Sequence, residues 1–440
     1  MAHRQFDTAN LSRRALLRGG AMLGAGAVLS TMPLGRVALA HAGHWPSVES
    51  VVDKYVSQRK VANMVAMMGF GQQEADMVGR GTLAIGGSEA AGMDSLYRIY
   101  SMTKPVTGIA TMMLVEDGLL TLDQPLADIL PAFADMQVQA TPDGNLTDLV
   151  PAKRAITIRH LLTHTAGLGY GIVQKGPIAK AYAENGINPG KFSRIPIPGL
   201  ARAEPAESLE AFADNLAKLP LVYHPGEKWS YSVSLDLLGR VIEVVSGKPF
   251  DTFLSERIFE PVGMNSTYFT VPEAQIARLT TNYGVLNGTP LPIDPARTSV
   301  FLDEPEFPFG GAGLVASPAD YDRFLRMLAG RGAIDGERVM APETVALATS
   351  NLLPDGIDTA NSYVDGEGFG AGGRIDRTGA FGWGGAAGTL AAVNVENGFR
   401  VSLYTQYAPP ESFPIRGEFI AAVMKDLPGA MQGMAARRAA

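Results

Sequence analysis

An apolar stretch that follows Ser101 and ends at Gly118 is the feature that most restricts how this chain folds. No charged side chain occurs between Lys104 and Glu116, and most of the intervening residues are aliphatic or methionine. A helix of this composition has no polar face to present to water, so it is stable only when other parts of the chain surround it. The sequence therefore predicts a buried helix over residues 104–117, stopped by Gly118.

Ser101 and Lys104 stand three residues apart at the start of this helix, so their side chains can meet on one face. The serine would be surrounded by unpaired backbone N–H groups and by the positive end of the helix dipole. A serine hydroxyl is a weak nucleophile that needs an adjacent base, which a desolvated lysine can help to supply. The pair is a candidate nucleophile and base, although a capping serine and a surface lysine give the same pattern.

The Ser-x-x-Lys pattern occurs a second time, at Ser57-Gln-Arg-Lys60. That copy lies in a polar run with no apolar helix behind it, and we interpret it as a solvated helix end. The pattern alone is therefore weak, and the assignment of Ser101 depends on partners further along the chain.

Composition excludes several classes of function. The 440 residues carry a net charge of −7 and no run of lysine and arginine in the body of the chain, so we expect no nucleic-acid partner. Cysteine is absent, which excludes disulfides, a thiol nucleophile and thiolate metal sites. His160 and His164 have helical spacing but no carboxylate at a fitting offset, so we expect no metal ion and no cofactor.

Residues 1–42 are predicted to be a twin-arginine export signal, because Arg13 and Arg14 precede an apolar stretch rich in glycine and alanine. Ala38-Leu-Ala40 provides a cleavage signal, with Ala40-His-Ala42 as a close alternative. We expect a periplasmic or secreted bacterial protein without stable membrane insertion after cleavage. An uncleaved N-terminal anchor is the alternative interpretation.

Strand patterns occur at both ends of the remaining chain, with mostly helical patterns between them. The predicted strands cover residues 61–70, 77–85, 389–396 and 399–407. This arrangement predicts an α+β fold in which one sheet is built from the two ends of the chain. We expect a discontinuous α/β domain from residues 45–120 and 305–435, with a helical domain, residues 121–304, inserted between them.

The helical patterns are bounded by capping residues, glycine and proline. The predicted helices, besides the one after Ser101, cover residues 48–58, 209–219, 234–246, 249–259, 317–328 and 413–427. Residues 185–205 are rich in proline and glycine and are predicted to form a surface loop.

Two further segments carry candidate site residues. Tyr231 directly precedes the predicted helix 234–246, and a phenol beside a lysine ammonium can take a proton from serine. The glycines that follow Trp383 let the backbone approach a ligand, and a strand edge there can offer an N–H group to an oxyanion. The alternative readings are an ordinary half-buried tyrosine and a β-bulge with a packing tryptophan.

The order of these elements, Ser101-Met-Thr-Lys104, then Tyr231, then Trp383-Gly-Gly, resembles the serine β-lactamase and penicillin-binding-protein superfamily. More specifically, it resembles the class C β-lactamase-like esterases, the family VIII carboxylesterases. The similarity extends over essentially the whole chain after the export signal, including residues 158–168, 225–229 and 259–264. No Gly-x-Ser-x-Gly motif is present, which disfavours an α/β-hydrolase.

The resemblance implies a serine β-lactamase-like fold, with an antiparallel sheet flanked by helices. It implies that Ser101 is the nucleophile, with Lys104 and Tyr231 as its proton-transfer partners. It further implies an oxyanion hole formed by the backbone N–H groups of Ser101 and Ala386. The residues that it implies for a substrate pocket are Trp383, Gly384, Gly385, Val233, Tyr170 and Phe309.

Two positions depart from the β-lactamase pattern. Val233 stands where those enzymes have an asparagine that binds the acylamino group, and Trp383 stands where they have a lysine that holds the β-lactam carboxylate. Because both changes remove polar recognition, the resemblance implies an esterase for small apolar, uncharged esters of short or medium acyl chain.

Three alternatives stay open. They are a β-lactamase or D-amino-acid peptidase, an acyltransferase or amidase on the same scaffold, and an inactive binding protein of the same fold. The sequence also leaves the oligomeric state open.

Overall fold

The computed structural model describes residues 45–188, 190–195 and 204–439. The predicted export signal lies outside the described residues, as does part of the predicted surface loop at residues 185–205. None of the described helices is both long and apolar enough to cross a membrane. The described α-helices of five or more residues are Pro46–Ser57 (α1), Thr103–Glu116 (α2), Ile158–Leu162 (α3), Gly176–Glu184 (α4), Leu209–Ala217 (α5), Ser234–Ser246 (α6), Phe250–Leu254 (α7), Pro318–Ala329 (α8), Pro342–Ala348 (α9) and Ile415–Ala439 (α10).

Both ends of the chain build one antiparallel sheet, as the sequence predicts. Its seven described strands are Asn63–Phe70 (β1), Asp76–Gly81 (β2), Gly368–Phe369 (β3), Arg374–Ile375 (β4), Phe381–Gly384 (β5), Leu390–Val393 (β6) and Phe399–Tyr404 (β7). They lie in the order β3-β4-β5-β6-β7-β1-β2. Pairing of Val65 with Tyr404 and of Phe70 with Phe399 joins β1, from the start of the chain, to β7, from its end.

Alternate side chains of β1 pack into two separate hydrophobic cores, one on each face of the sheet. Val65 and Met67 belong to the core that contains α2 and α8, whereas Met64, Ala66 and Met68 belong to the core that contains α1 and α10. Successive side chains on a strand point to opposite faces, so a sheet covered by helices on both sides needs strands that are apolar on both. All of β1 is buried, which explains why its sequence is a continuous apolar run after Asn63.

Helix α6 links the helical part of the chain to α2. It packs against α2, α3, α5 and α7, and it begins directly after Tyr231-Ser-Val233. It ends at Gly247, whose left-handed φ of 69° confirms the glycine stop that the sequence predicts. This packing places the segment that precedes α6 beside the start of α2, where Ser101 and Lys104 lie.

Several predicted elements have other bounds in the structure. The helix predicted over residues 413–427 is α10, Ile415–Ala439, and the strand predicted over residues 399–407 is β7, which ends at Tyr404. The strand predicted over residues 77–85 is β2 and ends at Gly81, whose φ is 90° and where a Cβ atom would lie 2.2 Å from the carbonyl oxygen of Ala62. The helix predicted over residues 249–259 is α7, followed by a π-helical segment, Ser255–Phe259.

A β-hairpin lies in the part of the chain predicted to be helical. It consists of Asn282–Leu286 and Thr289–Asp294. Pro290 and Pro292 in its second strand interrupt the strand pattern, because proline cannot donate a ladder hydrogen bond. The other short strands are Tyr97–Arg98, Gln137–Gln139, Leu149–Pro151, Thr267–Tyr268, Val315–Ala316, Ala333–Ile334, Glu337–Arg338 and Tyr407–Ala408. The division into an α/β and a helical domain stays a prediction.

Candidate active site

Ser101 lies on a sharp turn between a short strand and α2. The turn is a 3₁₀ segment, Tyr100–Met102, and Tyr100 has a φ of 42°, which is uncommon for an aromatic residue. Arg98 anchors the preceding strand through a buried ion pair in which its Nε lies 2.6 Å from Oδ2 of Asp294. A strained backbone persists only where its surroundings hold it, and such strain is frequent at functional sites. Ser101 itself is partly exposed.

Lys104 is fully buried and reaches both Ser101 and Tyr231. Its Nζ donates to Oγ of Ser101 at 3.4 Å and to the carbonyl oxygen of Gly311 at 2.7 Å. The same Nζ lies 4.6 Å from the ring centroid of Tyr231 and 5.4 Å from that of Tyr170. The structure therefore brings together the three residues that the sequence singles out for catalysis, although Tyr231 is far from the other two along the chain.

A buried carboxylate that sequence reasoning missed lies beside this lysine. Asp236, in the first turn of α6, is fully buried, and its Oδ1 accepts a hydrogen bond from the N–H of Gly311 at 2.8 Å. Among the described residues, its Oδ2 has no hydrogen-bond partner. Burial raises the pKa of Asp236 to about 6, and the charge of Lys104 acts in the opposite direction. Gly311 therefore lies between two buried ionisable side chains. Its carbonyl oxygen accepts a hydrogen bond from Lys104, and its N–H donates one to Asp236.

The sequence carried one signal for Asp236. It is the only charged residue among the apolar positions from Val233 to Gly239, but an acidic residue in the first turn of a helix is also typical of favourable interaction with the helix dipole. Because interaction with the helix dipole explains such a residue equally well, the sequence alone does not identify Asp236 as a site residue.

We expect the substitution Asp236→Asn to remove a pH-dependent part of the stability. The folded protein raises the pKa of this group from 3.8 to about 6, so it binds more protons than the unfolded chain within that interval. The free energy of unfolding should therefore fall as the pH rises from about 4 to about 6, by up to about 3 kcal/mol.

Urea unfolding at several pH values between 4 and 7 measures this effect. The asparagine side chain that this substitution introduces does not ionise, so the variant should lose less stability across this interval than the wild type. Asp251→Asn, at an exposed position on α7, is the matched control and should leave the pH profile unchanged. If the free energy of unfolding depended on pH in the same way in the wild type and in Asp236→Asn, the raised pKa of Asp236 would be contradicted.

Tyr231 lies within a cluster of aromatic rings that fixes its orientation. Its ring stacks on Trp229 at a centroid distance of 6.1 Å and meets Tyr170 and Tyr363 edge-on at 5.1 and 5.6 Å. The indole N–H of Trp383, on β5, donates to the Tyr231 hydroxyl oxygen at 3.1 Å. An indole N–H can only donate, so the tyrosine oxygen must be the acceptor in this contact. Trp383 is therefore hydrogen-bonded to Tyr231, and the sequence does not indicate this contact.

The glycine-rich end of β5 lies against the turn that carries Ser101. A Cβ atom on Gly385 would lie 2.2 Å from the carbonyl oxygen of Ile99, so only glycine permits this approach. Ala386, the next residue, is partly exposed. Within the described part of the chain, neither the N–H of Ser101 nor that of Ala386 donates to a protein acceptor. Two unpaired N–H groups on adjacent segments are suited to bind an oxyanion.

The predicted pocket residues differ in how much of each side chain is exposed. Val233, Tyr170 and Phe309 are buried to 2% exposure or less, and Trp383 is 9% exposed. Gly384 is partly exposed at the end of β5. Which of these residues contact a substrate stays a prediction.

The two histidines with helical spacing have local partners. His160 caps α3 together with Thr157, and Nδ1 of His164 lies 2.8 Å from Oγ of Ser232. Burial lowers the pKa of His160 to about 4 and that of His164 well below its ordinary value, so both rings are neutral. The described residues contain no group of three or more histidine, aspartate or glutamate side chains placed to hold a metal ion.

Comparison with known proteins identifies a family and several relatives of this chain. The sequence profile of the family described as Beta-lactamase matches residues 48–425. Protein Rv1367c of Mycobacterium tuberculosis (strain ATCC 25618 / H37Rv) is 37% identical over 262 residues, which are 60% of this chain and 61% of that protein. The match thus spans less than two thirds of that relative's length. Esterase EstB of Burkholderia gladioli is 28% identical over 388 residues, which cover 82% of this chain and 90% of that protein.

A solved structure shares the fold. EstCE1, described as a hydrolase with promiscuous acyltransferase activity, matches with a TM-score of 0.69 at 24% identity, covering 86% of this chain and 97% of that chain. This likeness confirms the predicted antiparallel sheet flanked by helices. Because the profile of the Beta-lactamase family matches most of the sequence, the chain belongs to that family, and so to the serine β-lactamase and penicillin-binding-protein superfamily.

Proposed function

We propose that this protein is a serine hydrolase that cleaves carboxylic esters through an acyl intermediate on Ser101. The observation that supports this most directly is the 3.4 Å contact between Nζ of Lys104 and Oγ of Ser101, with the Tyr231 ring beside the same ammonium. A cation this close to a hydroxyl favours loss of the hydroxyl proton. Similarity to esterase EstB over most of its length supports ester chemistry.

In the proposed reaction, Oγ of Ser101 attacks the carbonyl carbon of the ester. Tyr231, coupled to Lys104, accepts the hydroxyl proton and then donates it to the departing alcohol. Water subsequently attacks the acyl-serine and releases the acid. Tyr231 and Lys104 act as a coupled pair, so we do not assign the formal base to one of them.

Groups around the reacting atoms assist the proton transfer and stabilise the oxyanion. The indole N–H of Trp383 stabilises the deprotonated Tyr231 oxygen, which is the form that accepts the proton of Ser101. Asp236, when ionised, balances the buried ammonium of Lys104, because an uncompensated buried charge is strongly unfavourable. The N–H groups of Ser101 and Ala386 would stabilise the oxyanion, and loss of one such donor costs about 3 kcal/mol.

We infer that the substrates are small apolar esters of short or medium acyl chain. Trp383 replaces the lysine that would hold the carboxylate of a β-lactam, and its N–H is already bonded to Tyr231. Val233 replaces the asparagine that would bind an acylamino group and is fully buried. Neither position offers a free polar group to a β-lactam. A periplasmic or secreted location remains our proposal from the sequence of residues 1–42.

Acyl transfer is a second candidate activity. An alcohol could attack the acyl-serine in place of water, and EstCE1, which shares the fold, is described with promiscuous acyltransferase activity. Adding a primary alcohol to the assay and analysing the products for a new ester would detect this reaction.

A paired rate assay tests the proposed function. We expect the protein to hydrolyse 4-nitrophenyl butyrate and to turn over nitrocefin, a chromogenic β-lactam, slowly or not at all. The physical reason is the absence of polar recognition at positions 233 and 383. Efficient nitrocefin turnover would instead favour the β-lactamase alternative, and turnover of neither compound would favour an inactive binding protein.

A further inference from the structure

Arg416 connects the C-terminal helix to the turn that carries Ala386. From the first turn of α10, its Nη2 donates hydrogen bonds to the carbonyl oxygens of Gly385 and Thr389, the latter at 2.9 Å. The N–H of Gly385 in turn donates to the Thr389 carbonyl oxygen at 2.8 Å. One guanidinium nitrogen therefore holds both ends of the turn between β5 and β6.

The environment of Arg416 is unusual for a cation. The side chain is partly buried, and burial lowers its pKa. Its hydrogen bonds within the described residues go to backbone carbonyls, and the carboxylate of Glu411 acts on it through its charge without a direct ion-pair contact. Its Nε is buried and has no partner in the described part of the chain. A partly buried cation without a direct ion-pair contact is unfavourable for folding, which points to a role beyond stability.

The peptide group that Arg416 contacts is the one that contains the Ala386 N–H. The carbonyl of Gly385 and the N–H of Ala386 belong to the same planar unit, in which the C=O and N–H bonds point in opposite directions. Fixing the direction of the carbonyl oxygen therefore fixes the direction of the N–H. A charge-assisted hydrogen bond to the carbonyl also polarises the amide, which makes its N–H a stronger donor.

We propose that Arg416 is a positioning residue that orients and polarises the Gly385–Ala386 peptide, so that the Ala386 N–H binds the oxyanion of the reacting ester. This inference rests on the proposed function, because it requires an ester carbonyl that becomes an oxyanion next to Ser101. Arg416 contacts no reacting atom in this scheme and acts only through the peptide.

Two matched substrates separate this role from a purely structural one. O-(4-nitrophenyl) thionobutyrate differs from 4-nitrophenyl butyrate only in that sulfur replaces the carbonyl oxygen. Sulfur is a weak hydrogen-bond acceptor, so oxyanion-hole donors stabilise its transition state much less. The ratio of kcat/KM for the oxygen ester to that for the sulfur ester therefore reports on the oxyanion hole alone.

We expect Arg416→Met to lower kcat for the oxygen ester by about 10- to 100-fold, with little change in KM and a much smaller change for the sulfur ester. Arg416→Lys keeps the charge but not the geometry of the guanidinium, so it should show a smaller loss that is again confined to the oxygen ester. Lys425→Met removes an exposed charge from the same helix and should leave both rates unchanged.

An equal loss for the two substrates would overturn the proposal, because it would show that Arg416 only supports the fold. An unchanged oxygen-ester rate in Arg416→Met would overturn it as well. If Arg416→Met does not fold, Arg416→Lys provides the same comparison. Failure of the proposed function itself is recognised separately, by wild-type protein that hydrolyses neither ester or by Ser101→Ala that hydrolyses both.

Discussion

Replacing Ser101 with alanine should lower kcat/KM for 4-nitrophenyl butyrate by about 10⁴-fold or more. The substitution removes the oxygen atom that forms the acyl bond. The variant can still bind the ester and stabilise the oxyanion, but water must then attack the ester directly, and this reaction is slow. Ser101 is partly exposed, so the protein should keep its stability. Initial rates give the loss of activity. Mass spectrometry after treatment with a fluorophosphonate should show one adduct on Ser101 in the wild type and none in the variant.

The chain contains its own control for this experiment. Ser57 and Lys60 have the same spacing as Ser101 and Lys104, but Ser57 is exposed and its Oγ donates to the carbonyl oxygen of Lys54 at 3.3 Å. Ser57→Ala should keep the full rate and the fluorophosphonate adduct. Substantial activity in Ser101→Ala, or an adduct at another serine, would contradict the assignment of the nucleophile.

Replacing Tyr231 with phenylalanine should lower kcat by about 10²- to 10⁴-fold, the range of general acid–base contributions, with little change in KM. The phenylalanine ring preserves the contacts with Trp229, Tyr170 and Tyr363. It leaves the indole N–H of Trp383 without its acceptor, which should lower the free energy of unfolding by about 1–3 kcal/mol. Steady-state kinetics and urea unfolding measure the two effects separately.

Tyr363→Phe is the matched control for this substitution. Tyr363 lies in the same aromatic cluster, 5.6 Å from Tyr231 between ring centroids, and has no role in the proposed chemistry. Its substitution should leave kcat within a few-fold of wild type. A Tyr231→Phe variant with the wild-type rate would show that Lys104 performs the proton transfer without the phenol.

Local patterns in the sequence were sufficient to predict the main elements of the fold. The apolar run after Ser101 is α2, the capped segment from Ser234 to Ser246 is α6, and the four predicted strands are β1, β2, β6 and β7. Each of these elements is marked in the sequence by the spacing of its apolar residues or by a capping residue at its end. The hairpin at Asn282–Leu286 and Thr289–Asp294 is not predicted because its prolines mask the alternation. In the structure its first strand also pairs with the distant strand Tyr407–Ala408.

The candidate site was predicted in part. Ser101, Lys104 and Tyr231 were singled out by the order of motifs, and the structure places them together. Asp236 and Arg416 were not, because an acidic residue near a helix start and a basic residue near a chain end are ordinary features. Their significance depends on what each side chain contacts, Gly311 beside Lys104 for one and the Gly385 peptide for the other.

Spacing of three residues on a helix was enough to place Lys104 beside Ser101, since helical geometry alone brings such side chains together. The hydrogen bond from Trp383 to Tyr231, the burial of Asp236 and the hydrogen bonds from Arg416 to the turn at Ala386 arise between segments that are far apart in the chain. Hydrogen-bond direction and desolvation are set by packing around those atoms, and no local pattern encodes that packing. The identity of the reactive residues could therefore be inferred from the chain, whereas their orientation and electrostatic environment follow from how the sheet and α6 pack around α2.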